Sequence, residues 1–231
     1  MATSGTTSFD LNIDEIIDEG YERCGLTTNS GYDLRSARRS LNLLFAEWGN
    51  RGIHLWKVAL HENALVSGQA EYSVSPGVND VLEAFVSTTA AGANTVNTQD
   101  VSLTKMDRSA YSALPNKLAL GQPSQYYVDR ATTPKIYLYQ APDLNTYTTL
   151  KYYVIKRIED AGAYTDDPDV VYRFLPCMVA GLAYYLAMKK APQLVQQNKL
   201  IYEDQIKRAL DEDGQRASTY ITPQNFYPEG L

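Results

Sequence analysis

The chain has 231 residues, 44% hydrophobic and 21% charged, with 21 Lys and Arg against 27 Asp and Glu for a formal charge of −6. That length supports a sizeable core in one large domain or one and a half small ones, and the composition excludes a disordered or fibrous chain. The acidic balance argues against a protein whose main task is gripping phosphate, which usually carries a basic excess.

The N-terminal stretch MATSGTTSFD is polar, with no basic n-region and no apolar h-region. It reads as a loose arm rather than a secretory signal. A helix is predicted next. Asn12 can cap it, Glu15 holds the capping-box position, and Asp14, Glu15 and Asp18 load its first turns with negative charge. Ile13, Ile16, Ile17, Tyr21 and Cys24 follow a 3.6-residue period, and Gly25 offers a stop. Ser30 or Asp33 opens a second helix with Leu34, Ala37, Leu41, Leu44, Phe45 and Trp48 on one face, ended by Gly49 and Gly52. The short loop between the two predicts an antiparallel hairpin.

From His54 to about Ile158 the punctuation changes. The segments His54–Leu60, Glu71–Val74, Val81–Ser87, Gln125–Asp129, Lys135–Tyr139 and Thr148–Ile158 are rich in Val, Ile, Thr and Tyr and are separated by Gly, Pro, Asn and Asp. They predict a small, mostly antiparallel sheet or barrel. Asp107–Leu114 reads as a short helical turn, and Thr88–Asn97 as a protruding hairpin tip or mobile loop. Eighteen tyrosines suit surfaces that are exposed before assembly and covered after it, because each joins a rigid apolar ring to a hydroxyl.

Helix then returns. Asp167 as N-cap with Pro168 at the first helical position predicts the start, and Val171, Phe174, Leu175, Met178, Leu182 and Leu186 form a broad buried stripe with a kink near Pro176. The apolar run Phe174 to Met188, interrupted by Pro176 and Gly181, falls short of the roughly 20 residues of a membrane span and reads as a core helix. Pro192 restarts a last helix carrying the i,i+4 pairs Glu203–Lys207 and Asp204–Arg208, ended by Gly214. The final segment contains two prolines yet carries Tyr220, Ile221, Phe226 and Tyr227, aromatic and apolar groups that a disordered tail usually lacks; it reads as a docking tail. The expected fold class is α+β: an arm (1–10), a helical layer (11–53 and 163–214), an inserted small antiparallel β domain (54–162) and a docking tail (215–231).

Catalytic equipment is sparse. His54 and His61 are seven apart, which on one strand places them on opposite faces, and no Cys/His cluster accompanies them. Asp166, Asp167 and Asp169 sit where a helix N-terminus attracts negative charge, and Glu159–Asp160 reads as a solvated turn. Cys24 and Cys177 lie at apolar helical positions and read as buried thiols. No phosphate-loop, GxSxG, HExxH or dinucleotide fingerprint is present, so no catalytic residue, cofactor or metal ligand is assigned. Arg35, Arg38 and Arg39 cluster near the solvent side of the second helix. Three readings fit them: a solvated face pairing with the acidic first helix, an inter-subunit contact, or a DNA contact.

The stretches LNLLFAEWGNRGIHLWKV (41–58), SALPNK (112–117), GQPSQYYVDR (121–130), IYLYQAPD (136–143), VIKRIEDAG (154–162) and YRFLPCMVAGLAYYLAMK (172–189), in that order, resemble the head-to-tail adaptor (connector) proteins of tailed, especially short-tailed, bacteriophages. The resemblance implies a non-enzymatic virion protein that forms a ring, commonly of twelve subunits, beneath the portal protein and above the tail nozzle or tail-tube protein. Such a ring extends the channel for genomic double-stranded DNA and helps retain it. It further implies synthesis in the host bacterial cytoplasm and a final place in the virion neck, with no cofactor. On this reading Arg35, Arg38 and Arg39 form inter-subunit ion pairs, and Tyr220, Ile221, Phe226 and Tyr227 dock on the portal or a neighbouring subunit. Two alternatives remain at this point: a virion-associated cell-wall hydrolase using carboxylates such as Glu159 and Asp166, and a DNA-binding tail-completion module.

Overall fold

Helix α1 (Ile13–Glu22) is set by local sequence. In the computed structural model, which describes residues 5–6, 9–28, 30–53, 55–92 and 98–213, the Asn12 side-chain oxygen accepts from Glu15 N at 2.9 Å while Glu15 Oε2 accepts from Asn12 N at 3.1 Å. This reciprocal pair satisfies two donors that a helix start leaves open. Gly25, at φ +67°, turns the chain out of the helix in the left-handed conformation glycine tolerates. Helix α2 (Gly31–Asn50) is opened by Ser30, whose hydroxyl accepts from Asp33 N, so Ser30 rather than Asp33 is the cap. Ala37, Leu41, Leu44, Phe45 and Trp48 are buried as their spacing predicts.

Helix α4 (Leu175–Lys190) is the centre of the helical layer, and α1, α2 and α5 (Val195–Asp213) all pack on it. Its start differs from expectation. Residues 164–171 are not helical; a 3-10 turn at Tyr172–Phe174 precedes α4. The segment is used as a cap for another helix, since the carbonyls of Asp166 and Tyr164 accept from Ile13 N and Asp14 N at 3.0 and 2.9 Å. Asp167 and Pro168 therefore cap nothing of their own. Pro176 is then the second residue of α4, where its missing N–H has no intrahelical acceptor to lose, so it fits the first turn instead of kinking the helix interior. Gly181 marks the closest approach: a Cβ there would meet both Leu44 methyls at 2.8 Å and Tyr202 Cε2 at 2.9 Å. Trp48 Nε1 donates to Tyr202 Oη at 3.0 Å, closing the same seam between α2 and α5.

Helix α5 follows a 3-10 turn at Pro192–Leu194. Asp204 and Arg208 pair at 2.6 Å as predicted, but Glu203 does not pair with Lys207. Its two oxygens take both terminal nitrogens of Arg51 at 3.0 Å each, because Arg51 at the C-cap of α2 presents a planar fork across the helix pair. Gly214 and the tail residues Tyr220, Ile221, Phe226 and Tyr227 lie outside the described residues.

The β region has strands β1 (Val58–Ala64), β2 (Glu71–Ser73), β3 (Val78–Ser87), β4 (Asp100–Ser102) and β5 (Thr104–Met106), then helix α3 (Arg108–Ala113). Strands β6 (Leu120–Gly121), β7 (Gln125–Asp129), β8 (Lys135–Tyr139), β9 (Ala141–Pro142) and β10 (Thr149–Lys156) follow. One sheet runs β1-β10-β3-β4, a second β2-β8-β7-β5, and β6 pairs with β9. The pairings are antiparallel except β5–β7 and β6–β9. Buried Leu103 sits at the corner where β4 passes into β5 and the chain changes sheets, and its N–H donates to Ala84 O. A second core, with Tyr72, Val81, Val86, Tyr126, Ile136, Leu138, Tyr152 and Val154, fills the space these strands enclose. Of the predicted strand His54–Leu60, residues 55–57 form a 3-10 turn and His54 lies outside the described residues. These residues hold the junction instead: the Trp56 ring packs tilted against Phe174, centroids 4.9 Å apart, and its N–H donates to Asp169 O, and Lys57 pairs with the Asp169 carboxylate.

Two outcomes follow from this packing. Gly181→Ala gains helix propensity, worth roughly 0.5–1 kcal/mol, but meets Leu44 and Tyr202. It is therefore expected to destabilise by about 1–3 kcal/mol in urea denaturation, whereas Gly31→Ala, where a Cβ meets nothing within 4 Å, is expected to lose nothing. Arg51 beside Glu203 holds its carboxyl below the usual carboxylate range, so the pair stabilises fully above the unfolded value of about 4.3 and is lost as pH falls through the folded one. Glu203→Gln is expected to cost about 0.2–1 kcal/mol at neutral pH and to converge on the parent in acid, read by urea denaturation across pH.

Candidate functional site

Of the residues first weighed for chemistry, Asp166 and Asp169 hold contacts of the return loop, and His54 lies outside the described residues. His61 lies in β1 with its ring 5.9 Å from Tyr152, and burial, reinforced by Lys156, lowers its pKa. Asp166 Oδ2 accepts from Ala163 N at 2.7 Å, and Asp169 Oδ2 accepts from Glu159 N at 3.0 Å while pairing with Lys57. The two acids tie down the return loop, and Asp167 is exposed. Among the described residues no group of three or more His, Cys, Asp or Glu is placed to hold a metal ion. Glu159, Asp160 and Asp166 are exposed. Cys24 and Cys177 are free and buried; burial pushes the Cys177 thiol up to about 12 and raises Cys24 as well, the reverse of what a nucleophilic thiol needs.

The three arginines separate into two kinds. Arg38 is half-buried; Nη1 donates to Gly162 O at 3.1 Å and the guanidinium lies over the Tyr164 ring at 5.5 Å. It braces α2 against the loop that caps α1. Arg35 and Arg39 are exposed. Arg35 Nε donates to Gly31 O one turn back, and neither makes an ion pair among the described residues. They do not pair with the acidic first helix, whose one ion pair there is Glu19 with Arg23. Lys189, close enough to Arg39 to feel its charge, has its pKa lowered by burial and then by that neighbour, and donates to Ser36 O and to the Ser36 and Ser40 hydroxyls.

Four surfaces that residue-type reasoning did not single out emerge from the fold. On the outer face of the second sheet, Tyr127 and Tyr137 sit opposite each other in register, and Tyr111 of α3 closes a three-ring cluster with centroids 5.3–5.9 Å apart. Lys117 Nζ caps it, 5.6 Å from the Tyr111 ring. On the outer face of the first sheet, exposed Leu60 pairs with exposed Tyr153, which meets Phe85 edge-on at 6.3 Å. At the β6–β9 end, Val66, Leu118, Leu120 and Leu144 are all exposed. In the helical layer a groove of about 490 Å³ is floored by Leu11, Leu175, Pro176 and Val179 and edged by Glu15, Asp18, Glu19 and Glu22. The sheet faces had a signal, since QYYVD carries tyrosines at both strand parities and KIYLY places Tyr137 and Tyr139 on one. The groove had none, because it depends on how α1 meets α4.

No helix among the described residues is long and apolar enough to cross a membrane. A family model described as "SU10 adaptor protein" matches residues 13–225. No curated protein matches the chain.

The division among the arginines is measurable. Arg38→Ala is expected to lower stability by about 1–2 kcal/mol through its lost charged hydrogen bond and ring contact, while Arg35→Ala and Arg39→Ala should stay within about 0.5 kcal/mol of the parent, as read by urea denaturation.

Proposed function

The chain belongs to the SU10 adaptor protein family, a family of phage head-to-tail adaptors, and on that premise we propose that it is a non-enzymatic structural protein of the virion neck. In this proposal copies of the chain close into a ring, commonly of twelve in such adaptors, between the portal and the tail nozzle or tail tube. The ring extends the channel for the genomic duplex and helps retain it. The observation that carries the reading is the span of the match, 13–225, which takes in the helical layer and the β region together.

Surface chemistry supports the same reading. A closed ring needs a head-to-tail interface with two different adhesive faces on each subunit, and permanent interfaces of this kind bury about 2,000 Å² or more. The exposed aromatic and aliphatic groups on both sheets and on the helices supply such faces. An acidic wall repels phosphate and lets a duplex slide, which suits a formal charge of −6. We place the helical layer laterally between subunits and against the portal, and the β region toward the tail or the outer wall. Arg35 and Arg39 form inter-subunit ion pairs, with Arg38 bracing their helix. Tyr220, Ile221, Phe226 and Tyr227 dock on the portal or a neighbour. The protein is made in the host bacterial cytoplasm and carries no cofactor.

The test is attachment to DNA-filled heads that carry portal and lack adaptor. The full chain should bind as a ring visible by electron microscopy, and a chain ending at Gly214 should fold with the same unfolding midpoint yet fail to attach. Normal attachment of the shortened chain removes the docking role of the tail. No attachment of the full chain, or its turnover of purified peptidoglycan, overturns the adaptor reading.

A further inference from the structure

The groove on α1 and the exposed stripe of α2 carry opposite charges, and among the described residues Glu19, paired with Arg23, is the one member of either set held in an ion pair. The groove lies between α1 and the start of α4. Its floor is apolar, and exposed Phe9, at 64% of its full area, stands at its edge. Glu15, Asp18, Glu19 and Glu22 edge it, with Arg23 the one basic group, already paired with Glu19. On α2, Tyr32, Arg35, Arg39, Leu43, Ala46 and Asn50 are all exposed, and their 3–4-residue spacing puts them on one helical face. Tyr32 and Leu43 are 65% and 56% exposed, so the stripe alternates apolar knobs with cationic groups. Among the described residues no ion pair joins the α1 acids to the α2 arginines.

From these observations we propose that the acidic groove of one subunit receives the α2 stripe of a second copy of the chain. The assignment rests on the ring reading above and adds the two faces that meet. An apolar floor with an anionic rim fits a helix face carrying apolar knobs with guanidinium groups between them, and Arg is the cation best matched to carboxylates at an interface. The two faces lie on different helices, so the contact is heterologous and each subunit offers one of each. Repetition of that contact makes a ring when the rotation closes. The same charges oppose the wrong pairings, since groove against groove or stripe against stripe sets like charges together.

Charge-swap complementation tests this. Two full-length variants are made, Glu19→Lys with Glu22→Lys on the groove, and Arg35→Glu with Arg39→Glu on the stripe. Lysines at the end of α1 and a glutamate near the start of α2 agree with the helix dipoles, so both variants should stay folded, the groove variant with a slightly lower unfolding midpoint because it loses the exposed Glu19–Arg23 pair. Native mass measurement, on each protein alone and on portal-bearing heads, should show loss of the ring in either variant. An equimolar mixture should recover parental ring levels with the two variants in equal number, because each altered face then meets its complement. Parental assembly by either variant, or no recovery in the mixture, overturns the groove–stripe pairing and leaves the adaptor reading standing. So do variants that form rings alone yet no longer bind portal, which would give the groove to the portal. Absence of any ring in the parent, alone and on heads, overturns the ring reading and this inference together.

Discussion

The close approach of α2 and α5 to α4 at Gly181 is the constraint around which the helical layer is organised. Ten of the sixteen residues of α4 are buried, too many for a single buried stripe, so the helix behaves as an axle enclosed by its neighbours. A side chain at 181 would hold Leu44 and Tyr202 away and with them the Trp48–Tyr202 hydrogen bond and the Arg51–Glu203 fork. Small residues along the helix, Ala180, Gly181 and Ala183, let the surrounding helices come near enough for Trp48 and Tyr202 to reach one another. Specific polar contacts at the rim therefore depend on the absence of volume at the centre.

Much of the fold was legible because local signals and packing agreed. Asn12 and Glu15 announce a capping box that the structure contains, and the period of Ile13, Ile16, Ile17 and Tyr21 matches their burial. Gln125–Asp129 and Lys135–Tyr139 are strands with those bounds. The failures share a cause. Asp167–Pro168 looks like a helix start, yet the neighbouring carbonyls of Tyr164 and Asp166 are already engaged by the open N–H groups of α1, a partner about 150 residues away in sequence. Residues 55–57 have strand-like composition, but Trp56 and Lys57 are drawn to Phe174 and Asp169. Glu203 has a helical partner at the right spacing and takes Arg51 instead, because a bidentate fork offers two charged hydrogen bonds where Lys207 offers a point charge. In each case a long-range contact outcompeted a correct local rule.

The functional surface was less legible for the same reason. Residue type marked Arg35, Arg38 and Arg39 as a group, while the fold engages Arg38 internally and leaves the other two outward. Their sequence spacing, three residues and then one, does not distinguish them; the position of Tyr164 and Gly162 does. Likewise the tyrosine count indicated sticky surface without locating it. Strand register gathers Tyr127 and Tyr137, and α3 adds Tyr111, so an aromatic cluster forms from residues 26 apart in sequence. Asp166 and Asp169, by contrast, accept from backbone N–H groups of the return loop, a use that depends on where that loop folds and not on residue type.

The joint between the two layers has a mechanical meaning. The chain passes from the helical layer into β1 and returns from β10, and these strands are hydrogen-bonded neighbours with Val58 opposite Ile155. A tensile load between the layers therefore arrives at one end of a single antiparallel ladder and would peel it pair by pair instead of shearing all its bonds at once. Resistance to such peeling falls first on the contacts beside that end, the packed rings of Trp56 and Phe174 and the Lys57–Asp169 ion pair. Those few groups act as the rivet of the subunit.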